Sequence, residues 1–172
     1  VKTLVTRYKG KIAAWDVVNE ALNEDGSLRQ SVFLKFLGED YIKRAFELAE
    51  KADPEAQLIY NDYNLWKPEK RKGVVRLVKR LQDSGIKIDA VGLQGHWNLS
   101  EPSLVDIEQS IITFNELGLK VHFSELDISV LPNPWDLVGA EISQNFDESS
   151  YMNPYPERIP DSVQMALANR YQ

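Results

Sequence analysis

Apolar positions along this chain fall into two alternating patterns: short unbroken runs, and longer stretches with an apolar residue every three or four positions. The first run, Ile12-Ala13-Ala14-Trp15-Asp16-Val17-Val18, ends abruptly in Asn19 and Glu20. A run without clean alternation predicts a strand, here 12–18, buried on both faces as in parallel sheets. After a polar stretch at 23–27, a helix is expected over 40–52, with Ile42, Ala45, Phe46 and Ala49 on one face and Asp53-Pro54 as its stop. A strand over 57–60 runs into Asn61-Asp62-Tyr63-Asn64, and a helix over 68–84 carries Val74, Leu77, Val78 and Leu81, opened by Pro68 and closed by Gly85. The next pair is a strand over 90–93 ending in Gln94-Gly95-His96-Trp97 and a helix over 103–117 ending at Gly118. A fourth strand, 120–124, ends in Glu125-Leu126-Asp127, and a last helix begins near 161. Ahead of all this, Val1, Leu4, Val5 and Tyr8 have helical spacing with no cap before them, which reads as the tail of a helix.

Strand–helix units joined by short loops predict parallel strands with right-handed helical crossovers. Each of the four strands ends in polar or ionisable residues, so those residues share one edge of the sheet. A doubly wound sheet concentrates its site at one switch point with a glycine-rich phosphate turn, and neither G-x-G-x-x-G nor a P-loop is present. Functional residues after every strand suit a (β/α)₈ TIM barrel. Such a barrel takes about 250 residues, and this chain of 172 supplies four strand–helix units plus a preceding helix end, about half. The expectation is therefore an α/β chain forming part of a single catalytic domain over 1–172, incomplete at both ends. Its open edges and uncovered interior call for a second chain or segment completing the barrel.

Composition narrows the partners. Apolar content of 43% and charged content of 27% fit a globular chain. With 20 basic against 26 acidic residues and no basic block, nucleic acid is excluded as an expected partner. The charge run at 67–72 reads as a solvated helix start. The absence of cysteine rules out disulfides and thiolate metal sites. No apolar run approaches the ~20 residues of a membrane span, so no membrane is expected, and the first residues do not read as a signal peptide.

The chemistry lies on the shared edge. An isolated Glu20 would read as a cap or surface acid; a second glutamate, Glu125, closing the fourth strand changes that. Two carboxylates facing one cleft are what glycosidic cleavage requires, one as acid and one as nucleophile or base. Asn19 is placed to hydrogen-bond a sugar hydroxyl, and His96 with Asp127 to orient Glu125 and keep it ionised. Tyr63, Trp66, Trp97 and Trp135 lie in strand-end loops, where flat rings stack on pyranose faces. Taken singly, each ring is as readily explained by packing under its loop. His122, inside its strand, reads as structural.

These motifs together, Trp15-Asp16-Val17-Val18-Asn19-Glu20, Asn61-Asp62-Tyr63-Asn64, Gly92-Leu93-Gln94-Gly95-His96-Trp97 and Glu125-Leu126-Asp127-Ile128, resemble the successive strand motifs of glycoside hydrolase family 10, the endo-β-1,4-xylanases. The resemblance covers essentially the whole chain, from the family's third helix to its seventh. It implies a retaining hydrolase cutting internal bonds of xylan or xylo-oligosaccharide through a covalent glycosyl-enzyme, with no metal or organic cofactor. Glu20 matches the acid/base and Glu125 the nucleophile. Asn19 matches the contact to the 2-hydroxyl of the sugar before the scissile bond. Gln94 and His96 match polar residues around the nucleophile, with Asp127 the histidine's partner. Tyr63 and Asn64 match residues near the leaving group, and Trp97 is grouped with the substrate-binding positions. The resemblance also implies a secreted, periplasmic or cell-surface enzyme. The family's first strands and its last, with their sugar-gripping residues, have no counterpart here. The stretch 131–160, with Trp135, Phe146, Tyr151 and Tyr155, is expected to form a lid-like wall on the leaving-group side.

Two other readings compete. A metal-dependent barrel of the enolase type would hang Glu20, Asp62 and Glu125 on a cation, yet needs a Lys or His base on a strand end. Only His96, beside Asp127, is offered. A catalytically silent half-barrel or carbohydrate-binding segment is the second, and retention of both glutamates speaks against it.

Overall fold

A computed structural model describes residues 1–131 and 153–172. Trp135, Phe146 and Tyr151, with most of the expected lid, lie outside the described residues. The chain divides into two units, one of 1–95 with 103–125, the other of 96–102 with 126–172.

In the first unit the alternation is realised. Helix α1 (Lys2–Arg7) precedes strand β1 (Ala14–Asn19), and the short α2 (Val32–Leu37) precedes α3 (Tyr41–Ala52). Then come β2 (Gln57–Tyr63), α4 (Pro68–Asp83), β3 (Ala90–Asn98), α5 (Leu104–Asn115) and β4 (Lys120–Ser129). The sheet order is β1-β2-β3-β4, each strand beside its neighbour in sequence, as successive staves of a barrel require. β1 and β2 pair in parallel from Ala14 opposite Gln57 to Asn19 opposite Asn61. β2 and β3 pair in parallel from Ile59 opposite Ala90 to Tyr63 opposite Gln94.

The core joins the sheet to its helices. Phe46 and Ala49 of α3, Val74 and Val78 of α4 and Phe114 of α5 are fully buried with Leu58, Tyr60 and Val91 of the strands. Each buried Val, Leu or Phe among them contributes about 1.5–3 kcal/mol. The helix signals act as the sequence suggests: Pro68 opens α4, and Gly85 and Gly118 take left-handed φ of 69° and 77° just past α4 and α5. Ser103 caps α5 through a reciprocal capping box with Asp106.

Four expectations need correction. β1 is not buried on both faces: Trp15, Val17 and Val18 meet the core while Asp16 and Asn19 are exposed, the aspartate having broken the apolar run. A register shift between Asp16 and Val18 accommodates the extra residue. β2, β3 and β4 run three to five residues past 60, 93 and 124, because backbone pairing continues through their polar ends. The short α2, too brief for a periodic signal, was not expected; Ser31 caps it by accepting from the Leu34 amide. Within the charge run, Lys70 is fully buried rather than solvated.

In the second unit, α6 (Asp161–Arg170) occupies the position expected for the last helix. Among the described residues, no helix is long and apolar enough to cross a membrane.

Candidate active site

Among the described residues, three non-glycine positions take the left-handed backbone conformation, and all three are candidate site residues: Glu20 (φ 53°), Asn64 (φ 55°) and Glu125 (φ 52°). Such backbone costs on the order of 1–3 kcal/mol and persists only where the surroundings over-determine it. Glu20 directly follows β1 and Glu125 lies within β4, so each carboxylate is set by strand backbone rather than by a free loop.

A polar chain links the two glutamates within the first unit. Asn61 Nδ2 donates to Glu125 Oε1 at 2.9 Å and to Asn19 Oδ1 at 2.9 Å. Gln94 Nε2 donates to the same Asn19 oxygen at 3.1 Å and to Glu20 Oε1 at 3.2 Å. Ser124 Oγ donates to Asn61 Oδ1 at 2.6 Å, fixing which way that amide faces. Asn61 is buried, and its side chain fills the space where a Cβ on Gly92 would stand, 2.3 Å from its Oδ1. The glycine is therefore part of the site: it makes room for the amide that joins the two sides.

Glu20 is held on its other oxygen too. Arg29 reaches Glu20 Oε2 at 3.2 Å and donates to the Tyr63 hydroxyl at 2.6 Å, its guanidinium lying over the Tyr63 ring. A second cation on the same ring is Lys70 Nζ, 3.4 Å from the Tyr63 centroid. Lys70 pairs with Asp62 Oδ1 at 2.9 Å, both side chains fully buried, and with Glu24 Oε1 at 3.3 Å. Burial holds the Asp62 carboxyl above its ordinary value although Lys70 and Tyr60 pull it down. Asn64 Nδ2 donates to Glu24 Oε2 at 3.2 Å. Burial likewise raises Glu24, but Lys67 and Lys70 outweigh it and leave that carboxyl below its ordinary value. Asp16, opposite Ile59 on the exposed face of β1, is pushed up by desolvation and then by the Glu125 charge, with His122 opposing.

In the second unit, His96 Nδ1 lies 2.7 Å from Asp127 Oδ2. The Arg170 guanidinium sits 5.8 Å from the Trp97 ring centroid.

Of the nominated residues, the structure thus joins Asn19, Glu20, Gln94 and Glu125 in one network, brings Tyr63 to it through Arg29, and pairs His96 with Asp127. Asn64 bonds Glu24. Sequence reasoning missed Asn61, Gly92, Arg29, Tyr60 and Lys70 as supporting residues. The signal for Asn61 was its place in a polar strand end; Arg29 and Lys70 carry no local signal, since only the fold brings them to Glu20 and Asp62.

The model for the family described as glycosyl hydrolase family 10 matches residues 1–169. Endo-1,4-beta-xylanase A of Xylanibacter ruminicola is 47% identical over 171 residues, 99% of this chain and 46% of that protein. An endo-1,4-beta-xylanase of Geobacillus stearothermophilus is 48% identical over 132 residues, 76% of this chain and 40% of its own. Among solved structures, a GH10 endoxylanase retrieved from sugarcane soil metagenome superposes with a TM-score of 0.91 at 44% identity, over 99% of this chain and 49% of that one. Xylanase 10B of Thermotoga petrophila in complex with xylobiose gives a TM-score of 0.72 at 37% identity, over 74% and 39%. The chain spans about half the length of the relatives it matches.

Proposed function

The chain belongs to glycosyl hydrolase family 10, and on that premise we propose that it is the segment of a retaining endo-β-1,4-xylanase that carries both catalytic carboxylates. The observation that carries this reading is the linkage of Glu20 and Glu125, both in left-handed backbone, through Gln94, Asn19 and Asn61. Glu20 protonates the leaving oxygen while Glu125 attacks the anomeric carbon, forming a glycosyl-enzyme. Glu20 then takes a proton from water, which attacks the same carbon and releases Glu125. Asn19 binds the 2-hydroxyl of the sugar under attack, and Asn61 holds Glu125 in line. Gln94 orients Glu20 and Asn19, and Tyr63 and Asn64 line the sugar path; the His96–Asp127 pair and Trp97 carry the roles that the family resemblance implies for them.

The names of the relatives support xylan as substrate. Residues 1–172 form part of one catalytic domain whose remaining strands come from a complementary segment or chain. The family resemblance supports a working enzyme outside the cytoplasm, secreted, periplasmic or surface-held, which fractionation of the source cells checks. Xylan hydrolysis should fall to background in Glu125→Ala while the circular dichroism spectrum is kept; retention of most activity would overturn the assignment.

A further inference from the structure

Glu20 is held from behind as well as from the cleft. Its own amide donates to Asn61 O at 2.9 Å, and the next amide, Ala21 N–H, donates to the Tyr60 hydroxyl at 3.2 Å. The left-handed turn at Glu20 is thus gripped on both flanks, one by main chain and one by a side chain, both from the neighbouring strand β2. Tyr60 is fully buried, and burial together with the Asp62 charge raises its hydroxyl well above the ordinary value, so it stays neutral. By accepting from Ala21 it must turn its own proton elsewhere, and it donates to Asp62 Oδ2 at 2.5 Å. The other Asp62 oxygen accepts from the Tyr63 amide and meets the buried Lys70 ammonium.

We propose that Tyr60 is a positioning residue for the proton donor, its hydroxyl oriented by the buried Asp62–Lys70 pair so that it fixes the backbone turn from which Glu20 projects. This inference rests on the reading of Glu20 as the acid/base. A buried ion pair adds little stability over apolar residues of similar volume. A fully satisfied polar network instead fixes one geometry among several that packing alone would tolerate. Here it fixes the direction of the Tyr60 lone pair, and the residue it serves is one position from the proton donor. The same cluster reaches the Glu20 side chain by a second route. Lys70 packs on one face of Tyr63, whose hydroxyl accepts from the arginine bound to Glu20.

The test separates acid catalysis from general integrity by leaving group, using the xylan-active protein. An aryl xylobioside with a 2,4-dinitrophenolate leaving group needs no protonation; one with a poor phenolate does. In Tyr60→Phe, kcat/KM on the poor leaving group should fall about tenfold, the rate equivalent of one hydrogen bond. On the dinitrophenyl substrate kcat/KM should stay within about twofold, while its kcat falls and added azide restores it. Asp62→Asn, which keeps the side-chain shape, should move the same ratio in the same direction. Equal loss on both substrates in a folded variant would overturn the proposal, since a merely structural role lowers both together. Amide hydrogen exchange at Ala21 reads the contact without activity: protection should drop in Tyr60→Phe, and unchanged protection would also overturn it. Glu20→Ala in the same assay guards the premise. If that variant shows no leaving-group dependence, the assignment of Glu20 fails, while the exchange experiment still judges Tyr60.

Discussion

Asn61 and Gly92 show how closely single residues are interlocked at this site. The amide of Asn61 makes bonds to Asn19, Glu125 and Ser124 and occupies the volume a Gly92 side chain would need. Gly92→Ala should displace that amide, costing about 1–3 kcal/mol in urea unfolding and lowering xylan hydrolysis through loss of the Glu125 contact. An unchanged unfolding midpoint would refute the interlock. Asp16 offers a pH test. Its carboxyl sits above the ordinary 3.8 because desolvation and the Glu125 charge resist ionisation. The folded state therefore holds this proton more tightly than the unfolded chain does. The stability it contributes is complete below the unfolded value and is lost as pH rises through the raised folded value. Asp16→Asn escapes that loss, so its melting temperature should gain on the parent as pH is raised from below the ordinary 3.8. A difference that stays constant with pH would contradict the stated cause.

Among the described elements, the amphipathic faces of α3 and α4 were legible from periodicity, because a face spread over many residues survives local noise. Periodicity failed for α2, whose six residues leave Val32, Phe33, Phe36 and Leu37 exposed and so have no buried face to announce. Strand ends were drawn short for another reason. Polarity marks where side chains change role, whereas pairing through main-chain groups continues past that point, as Asn61 to Tyr63 do against β3. Of the site, the carboxylates were legible from their recurrence at strand ends, while Arg29 and Lys70 were not, because the partners they meet lie 9 and 8 residues away in sequence and are fixed only by the fold. The contact between the turn before α2 and helix α4 tests packing at this scale. A Cβ on Gly73 would stand 2.5 Å from Gly26 Cα, backbone against backbone. Gly73→Ala gains up to about 1 kcal/mol of helix propensity, yet forcing these backbones apart costs about 1–3 kcal/mol. The clash wins, and the variant should unfold at lower urea; a more stable Gly73→Ala would contradict the close approach.

At the scale of the whole molecule, four β/α units align with about half of family structures whose fold is a (β/α)₈ barrel. Both candidate carboxylates fall within this half. The proposal that a complementary segment closes the barrel carries its own expectation: xylan hydrolysis should rise when those strands are co-expressed, and the active species should exceed the 19.7 kDa of this chain. Full activity at that mass alone would refute the need for completion. The central claim, that Glu125 attacks sugar while Glu20 serves as acid and base, is open to direct trapping. The completed enzyme would be treated with a 2-deoxy-2-fluoro xylobioside bearing an activated leaving group, digested, and its peptides weighed. One fluoroxylobiosyl group on the peptide containing Glu125, fragmenting to that residue, is the expected result. A label on any other carboxylate, or inactivation with no covalent adduct, would contradict the mechanism.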